Sequence, residues 1–176
     1  MHKKLLQFYG QPLILNTCGG KWSIFPRFFT KVEEVDSVTG TFEHSIDGKG
    51  RLFIPARLKE ELGDCFHLSM GADQCLTIYP QSSWEALCRR AEDLEEEEDI
   101  EAMEVFFAQT YRCTVDSQNR IVIPPLLREY AKLEKDVVIV GANGAARIWD
   151  AARWNEKLVA SATPERMKSL SRKLRL

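Results

Sequence analysis

Phe42, His44 and Ile46 alternate with Glu43 and Ser45, the period of two that turns one face of a strand toward a core and the other toward water. The alternation breaks at Asp47-Gly48-Lys49-Gly50, four turn-favouring residues, and Arg51 to Ile54 resumes as strand. Pro55 suits the first position of a helix, where its missing N–H costs nothing. Leu58 and Leu62 follow one turn apart, and Gly63 stands where a glycine ends a helix. Cys65 to Met70 and Cys75 to Tyr79 then predict a hairpin around Gly71-Ala72-Asp73-Gln74. Ser82-Ser83-Trp84-Glu85 has the form of a capping box, with Trp84, Leu87, Cys88, Ala91 and Leu94 sharing one face of the helix behind it.

The same pattern returns further along the chain. Residues 42–55 align with residues 111–124 at an offset of 69: Asp47 meets Asp116, Arg51 meets Arg120, Ile54 meets Ile123 and Pro55 meets Pro124. Phe42/Tyr111, Ser45/Thr114, Ile46/Val115 and Leu52/Ile121 are conservative pairs, and the offset continues through Leu58/Leu127 and Glu60/Glu129. After one inserted residue the offset is 70, so Gly71-Ala72 meets Gly141-Ala142, Ile78 meets Ile148, Tyr79 meets Trp149 and Trp84 meets Trp154. A correspondence of this length predicts one fold used twice. The second copy has its own short helix from Pro124, a hairpin from Val137 to Val140 and Ala146 to Trp149, and a last helix capped by Asp150.

The predicted organisation is an N-terminal extension (1–39), a first module (40–94), an acidic linker helix (95–108), a second module (109–160) and a basic amphipathic helix (161–176). In the linker, Ile100, Met103 and Phe107 recur at helical spacing behind Glu95 to Glu98. At the end, Thr163-Pro164 reads as a helix start, with Met167, Leu170 and Leu174 opposite Arg166, Lys168, Arg172, Lys173 and Arg175. The extension repeats neither module and offers apolar clusters without clear periodicity.

Composition narrows the function. The 176 residues are 44% hydrophobic, enough for a core, and no run reaches the roughly 18 apolar residues of a membrane span. The basic-then-apolar start (His2-Lys3-Lys4-Leu5-Leu6) lacks a long apolar region and a small-residue cleavage site, so the expectation is a cytoplasmic protein without a membrane partner. Five cysteines without a Cys-x-x-Cys pair, and scattered His2, His44 and His67, argue against a disulfide framework or zinc site. No metal or cofactor is expected. The net charge of −2 hides segregation: ten acids lie between Glu85 and Glu104, and seven bases between Arg153 and Leu176. A polyanion responds to such a local field rather than to the total.

The residues that carry chemistry are the duplicated Asp-x-x-x-Arg motifs, Asp47 to Arg51 and Asp116 to Arg120, each spanning a turn between strands. One reading is structural: a local ion pair with the aspartate also accepting backbone N–H groups, a contact worth about 0–1 kcal/mol when exposed. The other is recognition. An arginine at a turn can offer its fork to guanine O6 and N7 or to phosphate, Lys49 can add a phosphate contact, and Gly48 and Gly50 permit close backbone approach. Gly50 and Asn119 align at a position where both tolerate positive φ, so both turns are expected to use a left-handed residue there.

Residues 40–57 resemble the start of an MraZ protein, and Tyr111 to Pro124 resembles its second half; the likeness covers about residues 40 to 158. It implies a β-rich α+β fold in which two tandem AbrB-like modules build a pseudo-twofold double-split β-barrel with peripheral helices. It further implies a nucleoid-associated transcriptional regulator. Such a protein represses its own division and cell-wall gene cluster by engaging direct repeats of promoter DNA as a ring-shaped homo-oligomer. Arg51, Lys49 and Arg120 become the expected DNA contacts, and Asp47, Gly48, Gly50, Asp116 and Asn119 the residues that organise the turns. Two departures stand out: the long N-terminal extension, and Ser117-Gln118-Asn119 in place of Gly48-Lys49-Gly50, which removes the lysine from the second turn.

The alternative reading is a protein-interaction module of the antitoxin type using the same barrel. An enzyme is disfavoured, because no phosphate-binding loop, nucleophile elbow or His-Glu-x-x-His motif occurs and no nucleophile accompanies Asp47 and Arg51.

Overall fold

The computed structural model describes residues 6–8, 11–13, 17–18, 21–22, 38–142 and 144–175, in two units, Met1–Val35 and Asp36–Leu176. The first unit shows two short antiparallel pairs, β1 (Leu6–Phe8) with β2 (Gln11–Leu13), and β3 (Thr17–Cys18) with β4 (Lys21–Trp22). What the sequence suggested for the rest of the extension, His2 included, lies outside the described residues, as does the Cys18 side chain.

The second unit runs β5 (Thr41–Ser45), β6 (Arg51–Phe53), α1 (Ala56–Leu62), β7 (Cys65–Gly71), β8 (Cys75–Pro80) and α2 (Gln81–Ala91). It continues through α3 (Glu97–Ala108), β9 (Tyr111–Thr114), β10 (Arg120–Val122), α4 (Pro125–Tyr130), β11 (Asp136–Gly141), β12 (Ala146–Asp150), α5 (Ala151–Ser161) and α6 (Pro164–Leu174). The fold is α+β with antiparallel pairing. β5 shows the expected alternation, with Phe42 and His44 half-buried and their neighbours exposed.

Alternation fixes which face of a strand is buried, but not which strand lies beside it. Six strands form one sheet in the order β5-β11-β12-β8-β7-β9, and β6 pairs with β10 as a separate ribbon. Exchanging the two copies of the repeat reverses this order and leaves it unchanged. β5 of the first copy therefore lies on β11 of the second, while β9 of the second lies on β7 of the first. One shared core results. Leu52, Ile54, Leu58, Phe66 and Leu68 pack in the same cluster as Ile121, Ile123, Leu127, Ile139 and Ile148. Leu58 and Leu127 are fully buried at matching positions of α1 and α4, as their alignment predicts.

Several local expectations hold and three are corrected. Gly63 ends α1 at φ 80° with its N–H donating to the Lys59 carbonyl. Asp150 caps α5 by accepting from the N–H groups of Ala152 and Arg153, and Thr163 caps α6. Pro55 and Pro124, however, sit one residue before their helices: the Pro55 carbonyl already accepts from Lys59 N at 2.9 Å while its own ψ of 143° is extended. Proline's fixed φ serves both positions, and Pro125 takes the first helical one in α4. The capping box at Ser82 does not form. α2 begins at Gln81 after Pro80, and Ser83 Oγ instead donates to the Gly144 carbonyl at 2.6 Å. α2 also stops at Ala91, leaving Leu94 beyond its end.

Candidate nucleic-acid interface

Each Asp-x-x-x-Arg motif folds as a three-residue hairpin loop. In the first, Asp47 N donates to Arg51 O at 3.0 Å and Gly50 N donates to Asp47 O at 2.8 Å; in the second, Asp116 N donates to Arg120 O at 2.9 Å and Asn119 N donates to Asp116 O at 2.9 Å. Gly50 at φ 76° and Asn119 at φ 55° are both left-handed, as the alignment predicts. A turn followed by one left-handed residue is a standard way to close a three-residue hairpin.

The aspartate does two jobs in this loop. Asp47 Oδ1 accepts the backbone N–H of Lys49 (2.9 Å) and of Arg51 (3.0 Å), while Oδ2 accepts Arg51 Nε (2.7 Å) and pairs with Nη2 (2.6 Å). Asp116 repeats this: Oδ1 takes the N–H of Gln118 and Arg120, and Oδ2 takes Nε (3.0 Å) and Nη2 (2.8 Å) of Arg120. The Arg51 side-chain hydrogen bond, then the Arg51 backbone N–H, hold the Asp47 carboxyl down to about 2. Asp116 is lowered in the same way, first by the Arg120 side chain. Each guanidinium is thus gripped along its Nε–Nη2 edge. Among the described residues neither Nη1 has a partner, which leaves the end of each fork able to donate.

The ribbon places the two arginines together. Arg51 stands opposite Val122 and Arg120 opposite Phe53, with Leu52 opposite Ile121 between them. Side chains alternate along a strand, so Arg51, Phe53, Arg120 and Val122 share the outer face. Phe53 is 41% and Val122 59% exposed, against 0% for Leu52 and 2% for Ile121 on the inner face. The cross-links that close the ribbon run between copies: Ile54 N donates to Asn119 O at 2.7 Å, and Ile123 N donates to Gly50 O at 2.9 Å. Each turn is therefore braced by the strand of the other copy.

All eight residues singled out from the sequence fall on these two turns and their exits. Phe53 and Val122 were missed. Their signal was present, two residues from an arginine on a period-two strand, but their place opposite the other copy's arginine required the ribbon. Arg128 was also missed: its guanidinium carbon would lie 3.3 Å from a Cβ added at Gly50, so α4 sets a second cation behind the first turn.

Among the described residues no group of three or more His, Cys, Asp or Glu is placed to hold a metal ion, and no helix is long and apolar enough to cross a membrane. Cys65, Cys75, Cys88 and Cys113 are free.

A family model described as "MraZ protein, putative antitoxin-like" matches this chain twice, over residues 38–104 and 106–175. A protein of Heliobacterium modesticaldum named transcriptional regulator MraZ is 46% identical over 127 residues, 69% of this chain and 89% of that protein. Proteins of the same name from Pelotomaculum thermopropionicum and Carboxydothermus hydrogenoformans are 47% identical over 117 residues and 43% over 118. These alignments cover 65% and 66% of this chain and 81% and 82% of the relatives. With both copies of its repeat matched and its relatives spanned nearly end to end, the chain belongs to the MraZ family of transcriptional regulators, which are not enzymes.

Proposed function

We propose that the outer face of the β6–β10 ribbon reads promoter DNA. The carrying observation is the paired grip of Asp47 on Arg51 and of Asp116 on Arg120. It fixes both guanidinium groups on one exposed ribbon while leaving Nη1 of each without a partner among the described residues. B-DNA's major groove admits a two-stranded ribbon, and an arginine held this way matches guanine O6 and N7. Two residues along the ribbon and one strand across it separate the arginines by roughly 8 Å at the backbone, about two to three base-pair steps. Phe53 and Val122, lying between them, suit thymine methyl groups. Lys49, beside the first fork, adds a phosphate contact that the second turn lacks.

In this reading residues 40–94 and 109–160 act as two modules of one pseudo-twofold, double-split barrel, joined by the acidic helix and followed by the basic one. The protein binds direct repeats in the promoter of its own division and cell-wall genes and represses them. It does so as a ring, in which several weak ribbons act at high effective concentration and offset the modest net charge of each chain. Its place is the cytoplasm, at the nucleoid.

Mobility-shift titration on promoter and scrambled DNA tests the site. The Arg51→Ala, Arg120→Ala double variant should lose the promoter preference and bind at least 100-fold more weakly, with the wild-type elution volume in sizing chromatography. Unchanged promoter affinity would sink the proposed site. Absence of any promoter preference or steep salt dependence in the wild type would point instead to a protein-interaction module.

A further inference from the structure

α3 and α6 are each incomplete as they stand, and in opposite senses. α3 carries Glu97, Glu98, Asp99, Glu101 and Glu104 with no base, and leaves Ile100, Val105 and Phe107 exposed. α6 carries Arg166, Lys168, Arg172 and Lys173 against Glu165 alone, and leaves its seam of Met167, Leu170 and Leu174 exposed. Along α6 only Ser171 is even half-buried, and Arg166 Nη1, donating to the Ala160 carbonyl, is the side-chain tie to the preceding helix. Among the described residues, none of these acids and bases takes part in an ion pair.

The apolar side of α3 does not lie flat against solvent. Together with the end of α2 it walls a groove of about 460 Å³, lined by Cys88, Ala91 and Leu94 on one side and Ile100, Met103 and Phe107 on the other. That is many times the roughly 30 Å³ share of a water molecule, so the groove has room for side chains. Glu92 and Glu104 stand at its rim. α6 has 11 residues and α3 has 12, so each is about three turns long. Arg89 and Arg90 close the α2 wall, so the acids are concentrated on the α3 wall, and an apolar seam flanked by bases matches the groove along that wall in length, polarity and sign.

We infer that α6 of one copy docks into the α2–α3 groove of the next. Because the two surfaces differ, the contact is heterologous: each subunit gives an arm and receives one, which closes a ring when the rotation per step allows. This interface rests on the ring assembly proposed above and supplies its chemistry: apolar burial along Met167, Leu170 and Leu174, with oppositely charged flanks that set register and direction. It leaves the β6–β10 ribbon uninvolved, so assembly and DNA reading are carried by separate surfaces.

Charge reversal tests it on the full chain, with light-scattering mass and sedimentation as readouts and circular dichroism as the fold control. One variant carries Lys168→Glu, Arg172→Glu and Lys173→Glu; the other carries Glu97→Lys, Glu101→Lys and Glu104→Lys. Each alone should dissociate at protein concentrations at least tenfold above those at which the wild type stays assembled. An equimolar mixture should reassemble, since the reversed arm of one then meets the reversed groove of the other. A wild type that is monomeric at micromolar concentration would remove the ring itself. Assembled wild type with both variants equally assembled would overturn the arm-in-groove contact and leave the ring standing. Dissociated variants that fail to recover on mixing would also overturn it, because α6 would then act within its own chain or on another surface.

Discussion

The two Asp-x-x-x-Arg turns share their backbone hydrogen bonds, their left-handed third residue and their carboxylate grip, yet they differ in what surrounds them. Behind the first lies Arg128, close enough to crowd a side chain at Gly50. At the second, where Asn119 keeps its Cβ, the aligned residue is Lys59, whose ammonium is drawn off to Asp64 at 3.2 Å. The first turn also carries Lys49 where the second carries Gln118. A duplicated loop has thus kept its geometry and lost its equivalence in charge: among the described residues the first turn gathers Lys49, Arg51 and Arg128, and the second Arg120 at its tip. Shared hydrogen bonds fix the shape of a turn, and its neighbours decide how strongly it attracts an anion.

The sharpest test of the shared part is the core. Leu58→Ala and Leu127→Ala should each cost about 2–5 kcal/mol, as for fully buried leucines generally. Since the strands interleave, either variant should unfold the second unit in a single denaturant transition. Two separate transitions would break the picture of one core. The next effect bears on the difference between the turns. Arg51→Ala should cost about 1–3 kcal/mol of discrimination at one base pair per engaged ribbon. Arg120→Ala should cost less, and equal losses in mobility-shift titration would show that the extra bases of the first turn are idle. Gly50→Ala should destabilise by about 1–2 kcal/mol, because alanine disfavours positive φ and its Cβ presses on Arg128. Asn119→Gly should change stability by only a few tenths of that, measured by the same unfolding curves.

Smaller effects sharpen the electrostatic side. Lys49→Gln should lower the slope of log affinity against log salt by about 1, without changing base preference. Gln118→Lys should raise that slope by a similar amount if the second turn also lies along phosphates. Finally, the two carboxyls should titrate below an ordinary aspartate, Asp47 at about 2. A depressed folded-state pKa gives stability that is present above the unfolded value. That stability drains as pH falls toward the folded one, so the turns should loosen between roughly pH 4 and pH 2. Carboxyl chemical shifts recorded through that range check it. Titration of Asp47 near 4 would mean that the grip on Arg51 does not persist in solution.

The sequence made the local geometry of these turns legible, because Asp, Gly and Asn each have a backbone reason to stand where they do. It also exposed Leu58 and Leu127, whose helical spacing and alignment agree. Strand partnership was hidden: a period of two says that Phe42 faces inward, but nothing local distinguishes β11 as its neighbour from β7. The outer face of the ribbon was hidden for the same reason, since Val122 comes to face Arg51 only by pairing across copies. At α2 a tertiary contact outweighed a local motif, with Ser83 turning to Gly144 rather than to its own helix. Helix starts at Pro55 and Pro124 missed by one residue because proline's φ suits both sides of the boundary.

The exchange of strands between copies also bears on synthesis. β5 spans residues 41–45 and its neighbour β11 residues 136–141, so β5 leaves the ribosome on the order of ninety residues ahead of its partner. At ~5–20 residues per second, that is about 5–20 s during which β5 is made but has no partner strand, whereas β7 waits on the order of forty residues for β9. A neighbouring ribosome on the same message holds an identical half-chain, whose own β7 stands where the absent β11 stands in the second copy of the repeat. Nascent chains should therefore tend to pair with one another before each can pair with itself, and spacing between ribosomes becomes a determinant of how much protein reaches its unswapped form.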